Sequence, residues 1–409
     1  MKAIKFIHAA DLHLDSPMVG LRHLPAQLFK RLQESTFTAL ENIINAAIRY
    51  EVDFVILAGD LFDGEDRSIR AQSRLMKELG RLSKRDIPVY LVHGNHDHLG
   101  GSWVKMSVPE NVHVFLENVE TKFYEKNDGT AVHLYGFSYS KRHVEERMID
   151  YYEREEGADF HIGILHGHYE GSSQHGKYAP FFLKDLTSKR FDYWALGHIH
   201  QRLVLSEQPP IIYPGNPQGR NRKEQDEKGC YLVDLSSAGC STKFINTADI
   251  VWKAVSVDCG QVRNYDDLYK VCRDIMEETR QKGKGTLLSL HIKDLSLTLD
   301  SLTEIIENGE LLEILNDEEK DEASFVWVFK SDYTEAIDTN RDAYKEQGDF
   351  YSDLFSAIDR LENIDEPLEP LFQHSSARRY LSQLSADEKA ELLNQAEKTI
   401  LQLLHKSSF

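Results

Sequence analysis

Seven residues in five short segments carry side chains that can hold metal: Asp11 and His13 in "ADLHLD", Asp60 in "LAGD", Asn95 in "GNHDH", His166 in "ILHGH", and His198 and His200 in "LGHIH". Two divalent cations about 3.5–4 Å apart can clamp the attacking and leaving oxygens of a phosphoryl displacement. Holding two such charges together calls for a shared anionic ligand, and Asp60 is a candidate bridge. Asp11, His13 and one histidine of the last pair then complete one metal, while Asn95, His166 and the other histidine complete the second. Imidazole with carboxylate and amide oxygen suits manganese or iron better than magnesium, which prefers oxygen and bound water. His198 and His200 stand two apart after the apolar run Tyr193–Leu196. Residues i and i+2 of a strand share a face. A core-facing strand has no use for two imidazoles there, whereas two neighbouring metals need them.

Taken singly, each segment is weak, because GD and GH dipeptides are common and a strand-end histidine is ordinarily solvated. Their order along the chain makes the joint signal strong. Residues 1 to about 247 read as alternating strands and helices. "IKFIHAA" runs into Asp11, "DFVILAGD" ends on Asp60, and "IPVYLVHGNHD" feeds the Asn95 turn. "HIGILHGH", "FDYWALGHIH" and "IIYPGN" repeat the theme. Helical spacing of Leu28, Leu32, Phe37, Leu40, Ile44 and Ile48 predicts a helix over residues 25–49, and a second is predicted over Ser68 to Leu82. Polar residues at the ends of consecutive strands are where a layered α/β fold assembles a site. A glycine before Asp60, Asn95 and His198 allows the tight turn out of each strand.

Further along, "WKAVSVD" and "GTLLSLHIK" read as strands flanking a helix over Tyr265 to Arg280, which predicts a smaller α+β domain over 251–331. From about Asp332 to residue 409 the chain reads as polar and helical, with a break at "EPLEP", Glu366 to Pro370. Ser385 to Glu388 is a capping box opening a last helix, and Leu393, Ala396, Ile400 and Leu403 follow at a/d-type spacing. That seam packs either onto the protein itself or onto a partner.

A chain of 409 residues calls for two or three domains. Its 41% hydrophobic and 28% charged residues are ordinary for a globular protein. There is no apolar run long enough for a membrane span, and "AIKFIHAAD" at the start lacks a secretory leader. Cys230, Cys240, Cys259 and Cys272 form no CxxC pair, which favours a reducing cytoplasm over a disulfide or zinc framework. The net charge of −19 looks hostile to nucleic acid, but Asp300 to Pro370 holds 22 acidic and 5 basic residues and so carries −17 of it. The remainder, at −2, does not exclude a polyanion approached through bound metal.

The five segments, complete and in order, resemble the calcineurin-like metallophosphoesterase superfamily. "FIHAADLHLDSP", "LAGDLFD", "GNHDH", "ILHGHYEG", "WALGHIHQ" and "YPGNPQ" are similar to its DNA-repair exonuclease branch, that of SbcD-type nuclease subunits and YhaO-like proteins. The resemblance covers residues 1 to about 250. It implies a four-layer α/β/β/α sandwich with the smaller α+β domain as a cap and a helical C-terminal region. It assigns Asp11, His13, Asp60 and His200 to one metal and Asp60, Asn95, His166 and His198 to the other. It makes His96 the catalytic histidine, which is not a ligand but steadies or protonates the leaving oxygen. It also implies an SbcC-like coiled-coil ATPase held by the C-terminal helices, a homodimer formed through the nuclease domain, and work on nucleoid DNA.

Around this set, Asp97 is expected to fix His96, and Asp63 to orient ligands. His93, His98 and His168 read as ordinary solvated or core histidines. Arg220, Arg222 and Lys223 in "PGNPQGRNRKE" are either a solubilising turn or phosphate contacts, since guanidinium grips phosphate with two hydrogen bonds. Lys282, Lys284 and Lys293 of the smaller domain are further candidates to steer backbone phosphates. Three functions compete: a manganese-dependent DNA exonuclease or endonuclease, a metallophosphatase or cyclic-nucleotide phosphodiesterase, and a non-catalytic adaptor for an ATPase. The branch-specific wording and the extra 160 or so residues favour the nuclease, and the complete ligand set argues against the adaptor.

Overall fold

Long β-branched and aromatic runs with polar ends become parallel strands whose two faces are both covered, which is why they read as nearly continuous apolar sequence. In the computed structural model, strands β1 (Ala3–Ala9), β2 (Phe54–Ala58), β3 (Val89–Val92) and β4 (Val112–Val114) run parallel. Their sheet is completed by β11 (Gly229–Ser236) and β12 (Gly239–Asn246), in the order β12-β11-β1-β2-β3-β4. A second sheet has the order β5-β6-β7-β8-β10-β9, from β5 (Glu120–Glu125), β6 (Ala131–Gly136), β7 (Phe160–His166), β8 (Tyr193–Gly197), β9 (Leu203–Glu207) and β10 (Pro210–Tyr213). The structure describes the chain apart from residues 1, 19–20, 22–23, 65–66, 105, 171–177, 296–299, 318, 320–322, 336–340, 346–347, 361–366, 371–383, 385 and 407–409.

Alternation along the strands sorts the core into layers. Phe6, Phe54 and Ile56 of the first sheet meet Ile162, Ile164 and Tyr193 of the second, and Phe6 stacks on Phe54 at 5.0 Å. Ile7, Val55 and Leu91 turn the other way, beneath helices α1 (Ala26–Arg49) and α2 (Ile69–Ser83). The Ser68 hydroxyl caps α2 by accepting from the Ala71 N–H at 3.0 Å. On the far face of the second sheet, Trp194, Tyr135 and Leu165 pack under α3 (Leu183–Ser188) and the 3-10 turn Met148–Tyr151. The layers are therefore α/β/β/α, and each fully buried Leu or Phe in them contributes about 1.5–3 kcal/mol.

A third sheet, β13-β14-β15, joins β13 (Ile250–Asp258), β14 (Gly285–Leu295) and β15 (Val326–Glu335). Among them lie α4 (Tyr265–Thr279), α5 (Asp300–Glu307) and α6 (Glu310–Asn316). Strand β15 runs past residue 331, where the composition turns polar, because an edge strand tolerates polar residues and continues through them. By contacts the chain divides into one unit of residues 1–255, 269–290 and 309–331 and another of 256–268, 291–308 and 332–409. The units change over after residue 255, five past the expected 250, and again after the expected 331, and the 251–331 stretch is shared between them. Within the first unit, Ile250, Trp252, Leu287 and Phe325 pack with Leu28 and Leu32, and Arg31 pairs with Asp249 at 2.8 Å.

Within the second unit, α7 (Arg341–Lys345), α8 (Asp349–Asp359) and α9 (Ala386–Lys406) gather Tyr344, Phe355 and Leu401 into a small core of their own. Arg341 ties them together through Glu397 and Asp359. The expected seam is not the face that packs there: Leu401 is buried, whereas Ala396 and Ile400 are exposed and Leu393 is half-buried. Leu403's side chain and Ser385 of the expected capping box lie outside the described residues. Of the expected break, Glu366 lies outside them too, and residues 367–370 are helical, since proline is tolerated in a first turn. No helix among the described residues is long and apolar enough to cross a membrane.

Candidate metal centre

Strands of both sheets deliver the donors. Asp11 and His13 follow β1, Asp60 follows β2, Asn95 and His96 follow β3, His166 ends β7, and His198 and His200 follow β8. The backbone leaves the strands abruptly. Asp11, His13, Asp60 and His198 hold φ of 54°, 42°, 50° and 104°, a left-handed region that non-glycine residues avoid at about 1–3 kcal/mol each. Surrounding hydrogen bonds impose it. The Asp11 and His13 N–H groups donate to Gly59 O and Asp60 O at 3.0 Å, and the His198 N–H donates to the Asp11 carboxylate oxygens at 3.0 and 3.1 Å.

Two groups of donors sharing Asp60 result. Asp11, His13, Asp60 and His200 bring ligand atoms within 4.8 Å of one another, and so do Asp60, His166 and His198. Asn95 belongs with the second group, its Oδ1 lying 3.1 Å from His166 Nε2 and 3.2 Å from His198 Nδ1. His198 and His200 part company here. Strand β8 stops at Gly197, so the alternation that would put both on one face no longer applies, and each imidazole enters a different group.

The chemistry of the donors fits cations. His200 Nδ1 lies 2.9 Å from Glu224 Oε1, which can only accept, so the proton sits on Nδ1 and Nε2 carries a lone pair. His13 Nδ1 lies 3.1 Å from Asp63 Oδ1, a charge contact that is not aligned as a hydrogen bond. The two Nε2 atoms then meet at 3.0 Å, lone pair to lone pair, an approach that a cation between ligands makes favourable. The same holds at His166. Its Nδ1 donates to Ala58 O at 2.9 Å, and its Nε2 is turned to Asn95 Oδ1 and, at 3.3 Å, to Asp60 Oδ2. Burial lowers His13 and His198 to about 3, so both are neutral, as a metal ligand must be. Burial pulls His166 down too, but the Asp60 and Asp11 carboxylates outweigh it and raise it to about 9. A proton on His166 and a metal ion are thus competitors for one oxygen-rich position.

His96 stands at the edge of this cluster, half-buried, its ring 4.9 Å from that of His13. Its N–H donates to Asp60 Oδ1 at 2.9 Å and its Nδ1 to Asp63 O at 3.2 Å, which leaves Nε2 for a substrate. Gly94 is obligatory beside it, because a Cβ there would lie 2.3 Å from Asp60 Oδ1 and 2.7 Å from His166 Nε2.

The family description "Calcineurin-like phosphoesterase" matches residues 4–202, a span that holds all seven donors. The uncharacterized metallophosphoesterase YhaO of Bacillus subtilis (strain 168) is 42% identical over 401 residues, 96% of each chain. The chain belongs to the calcineurin-like metallophosphoesterases. This metallophosphoesterase, a hydrolase with a divalent-metal site, is also similar to two proteins named DNA double-strand break repair protein Mre11. Identity is 27% over 300 residues with that of Thermoplasma acidophilum, covering 69% of this chain and 73% of the relative. With that of Saccharolobus solfataricus it is 23% over 346 residues, covering 82% and 84%.

Around the metallophosphoesterase donors, two expectations change. Asp97 does not hold His96. It is fully buried and accepts from Gly94 N at 2.8 Å, Leu61 N at 3.1 Å and His93 Nδ1 at 3.0 Å, so it fixes the loop instead of the imidazole. The residue that orients His96 is Asp63, through its backbone carbonyl. Arg220 is not turned out toward phosphate: its guanidinium donates to Asp63 and to Glu224, with Nη2 also 3.1 Å from His200 Nδ1. Arg222 and Lys223 are exposed.

Sequence reasoning missed Glu224. Burial disfavours its charge, yet His200 and Arg220 hold the carboxyl well below its usual range. The available signal was an acid closing an otherwise basic loop, four residues after Arg220. His93 and His98 are buried, and the His168 ring lies 6.1 Å from that of His198.

Proposed function

We propose that this metallophosphoesterase is a manganese-dependent nuclease that hydrolyses phosphodiester bonds of DNA in repair, as exonuclease or endonuclease, together with a coiled-coil ATPase of the SbcC type. The observation that carries the reading is the pair of donor groups joined at Asp60, with His96 beside them, held through its backbone N–H and its Nδ1. Bound there, two Mn²⁺ ions would activate water and offset the charge gathering on the phosphate, and the imidazole-rich set favours manganese over magnesium. The chain's own residues do the rest. Asp60 holds the His96 loop, and Asp63 O keeps the ring turned so that a proton at Nε2 reaches the leaving 3′- or 5′-oxygen. Such proton transfer is worth about 10²–10⁴-fold. Likeness to proteins named for DNA double-strand break repair supports DNA as substrate. The acidic 300–370 stretch suits a basic protein partner better than DNA, which supports an ATPase bound through the C-terminal helices. We place the protein in the cytoplasm at the nucleoid, pairing with a second copy through the nuclease domain.

The test is digestion of end-labelled double- and single-stranded DNA by metal-stripped full-length protein, with Mn²⁺, Mg²⁺ or Ca²⁺ restored, beside diester and monoester dye substrates. Shortening of DNA with Mn²⁺ and little with Mg²⁺ is expected. Dye hydrolysis with intact DNA would replace the nuclease by a phosphatase or small-molecule phosphodiesterase. Equal rates with Mg²⁺ would remove manganese from the reading.

A further inference from the structure

Two side chains in the loop after β10 complete a circuit through the first donor group. His13 and His200 approach each other through their Nε2 atoms at 3.0 Å. Behind His13, its Nδ1 faces Asp63 Oδ1 at 3.1 Å, and behind His200, its Nδ1 faces Glu224 Oε1 at 2.9 Å. Arg220 spans the gap between the two carboxylates, donating from Nη1 to Asp63 and from Nη2 to Glu224 Oε1 at 3.2 Å. The circuit therefore runs His13, Asp63, Arg220, Glu224, His200 and back to His13.

Each link is anchored from outside. Glu224 Oε2 accepts from Asn216 Nδ2 at 2.7 Å and from the Arg220 N–H at 2.8 Å, so neither oxygen is free to swing away. Asn216 is fully buried, and its Nδ2 also donates to Gln218 O at 2.6 Å. The Lys228 ammonium donates to His200 O at 2.9 Å, which fixes the backbone of the last ligand. Asp63 receives the Ser16 hydroxyl at 3.3 Å, and its carbonyl holds His96. A guanidinium is the side chain suited to this place, because its planar fork reaches two carboxylates in fixed geometry, which a point-charge ammonium does not.

We propose that Arg220 and Glu224 are positioning residues for the metal held by Asp11, His13, Asp60 and His200: they set the direction of the His13 and His200 lone pairs and so determine affinity for the ion. Arg220 then contributes nothing directly to phosphate binding. A carboxylate behind a ligating imidazole makes its nitrogen a better donor and removes its freedom to rotate, and losing such a partner typically costs about 10–100-fold in metal affinity. Glu224 supplies this to His200 through a formed hydrogen bond, Asp63 stands 3.1 Å behind His13 as its charge partner, and Arg220 keeps both carboxylates in register. The inference rests on the two-metal reading above and adds to it which residues outside the donor set tune the site.

The experiment titrates Mn²⁺ alone into metal-stripped full-length protein, by calorimetry or by the electron paramagnetic resonance of free Mn²⁺, for the unaltered chain, Glu224→Gln, Arg220→Lys and their combination. Circular dichroism checks the fold of each. The Mn²⁺ dissociation constant should rise about 10–100-fold for Glu224→Gln, and the double variant should be little worse than the weaker single one, since both interrupt one circuit. At saturating Mn²⁺, kcat on a dye diester should return toward that of the unaltered chain. If Glu224→Gln does not fold, Arg220→Lys carries the same test. Unchanged Mn²⁺ affinity with a raised KM for DNA would overturn the inference and make Arg220 a phosphate contact. Failure of excess Mn²⁺ to restore kcat in a folded variant would also overturn it. No Mn²⁺ binding by the unaltered chain would instead strike the two-metal reading itself.

Discussion

The Asp60 carboxylate accepts the His96 backbone N–H at 2.9 Å through Oδ1, while its Oδ2 lies 3.3 Å from His166 Nε2. One side chain therefore serves both donor groups and also fixes the loop that carries the candidate acid. Asp60→Ala should lose metal and turnover together. His96→Ala should keep metal and lose about 10²–10⁴-fold in kcat, the usual worth of a proton-transfer group. Metal analysis alongside kinetics checks both, and a His96→Ala protein that has lost an ion would reverse the division of roles.

Gly94→Ala makes a sharper demand on the same carboxylate. The new methyl would sit 2.3 Å from Asp60 Oδ1 and 2.7 Å from His166 Nε2. Both neighbours are buried and pinned, so the methyl pushes them out of place instead of finding room. Mn²⁺ affinity should fall by at least about tenfold, in line with losses seen when supporting contacts at metal sites are cut. Wild-type affinity in a folded Gly94→Ala protein would show that the strand ends are more compliant than their hydrogen bonds imply.

What was legible before the structure follows the physics of each signal. Strands covered on both faces wrote themselves as apolar runs, and α1 and α2 declared themselves by spacing, so the layers could be anticipated. The seven donors could be found because each follows such a run. What lies behind the donors could not. Whether Asp97 grips His96 or the Gly94 N–H depends on how four residues turn, and no periodicity encodes that. Arg220 stood open between a solubilising turn and a phosphate contact because a basic loop is usually exposed, and its commitment to Asp63 is a contact across 157 residues. Strand β15 was not read at all, because its second half lies in the polar composition that begins near Asp332.

Acid sensitivity should originate partly at His8, away from the donors. This imidazole is fully buried between the sheets, with Nδ1 3.0 Å from the Tyr193 hydroxyl and Nε2 donating to Leu196 O at 3.1 Å. Burial lowers it from 6.5 to about 3. The unfolded chain then binds the extra proton between those values, so the stabilisation is complete above about pH 6.5 and is lost as pH falls toward 3. Going from pH 7 to 5.5 should cost about 1 kcal/mol from this residue. His8→Gln, which keeps a donor and an acceptor but does not titrate, should flatten the pH dependence of thermal or urea unfolding by about that amount. An unchanged slope would assign the sensitivity elsewhere.

Removing the C-terminal helices should spare the chemistry. The donors all precede Gln201, and α7, α8 and α9 have a core of their own in Tyr344, Phe355 and Leu401. The cut belongs after residue 340, since one at 331 would sever β15. Mn²⁺-dependent dye hydrolysis should survive within a few-fold, while a pull-down against a coiled-coil ATPase should fail. A folded but inactive truncate, or one that still captures the ATPase, would refute the assignment.

Asp11 holds φ of 54° with its carboxylate fully buried, and burial raises its pKa against the opposing pull of His166 and His200, with Asp60 adding to the rise. Such a residue is kept for what it binds, at the expense of the molecule's own endurance. Asparagine adopts the left-handed region more readily and still offers an oxygen to the His198 N–H, without the charge. Above about pH 9, where His166 has lost the proton that Asp11 helps to hold, metal-stripped Asp11→Asn protein should therefore melt above the metal-stripped parent, by roughly 2–4 °C for each kcal/mol relieved, while losing the ion. A catalytically dead chain that outlasts the living one is the expected signature of a centre shaped for cations and not for rest.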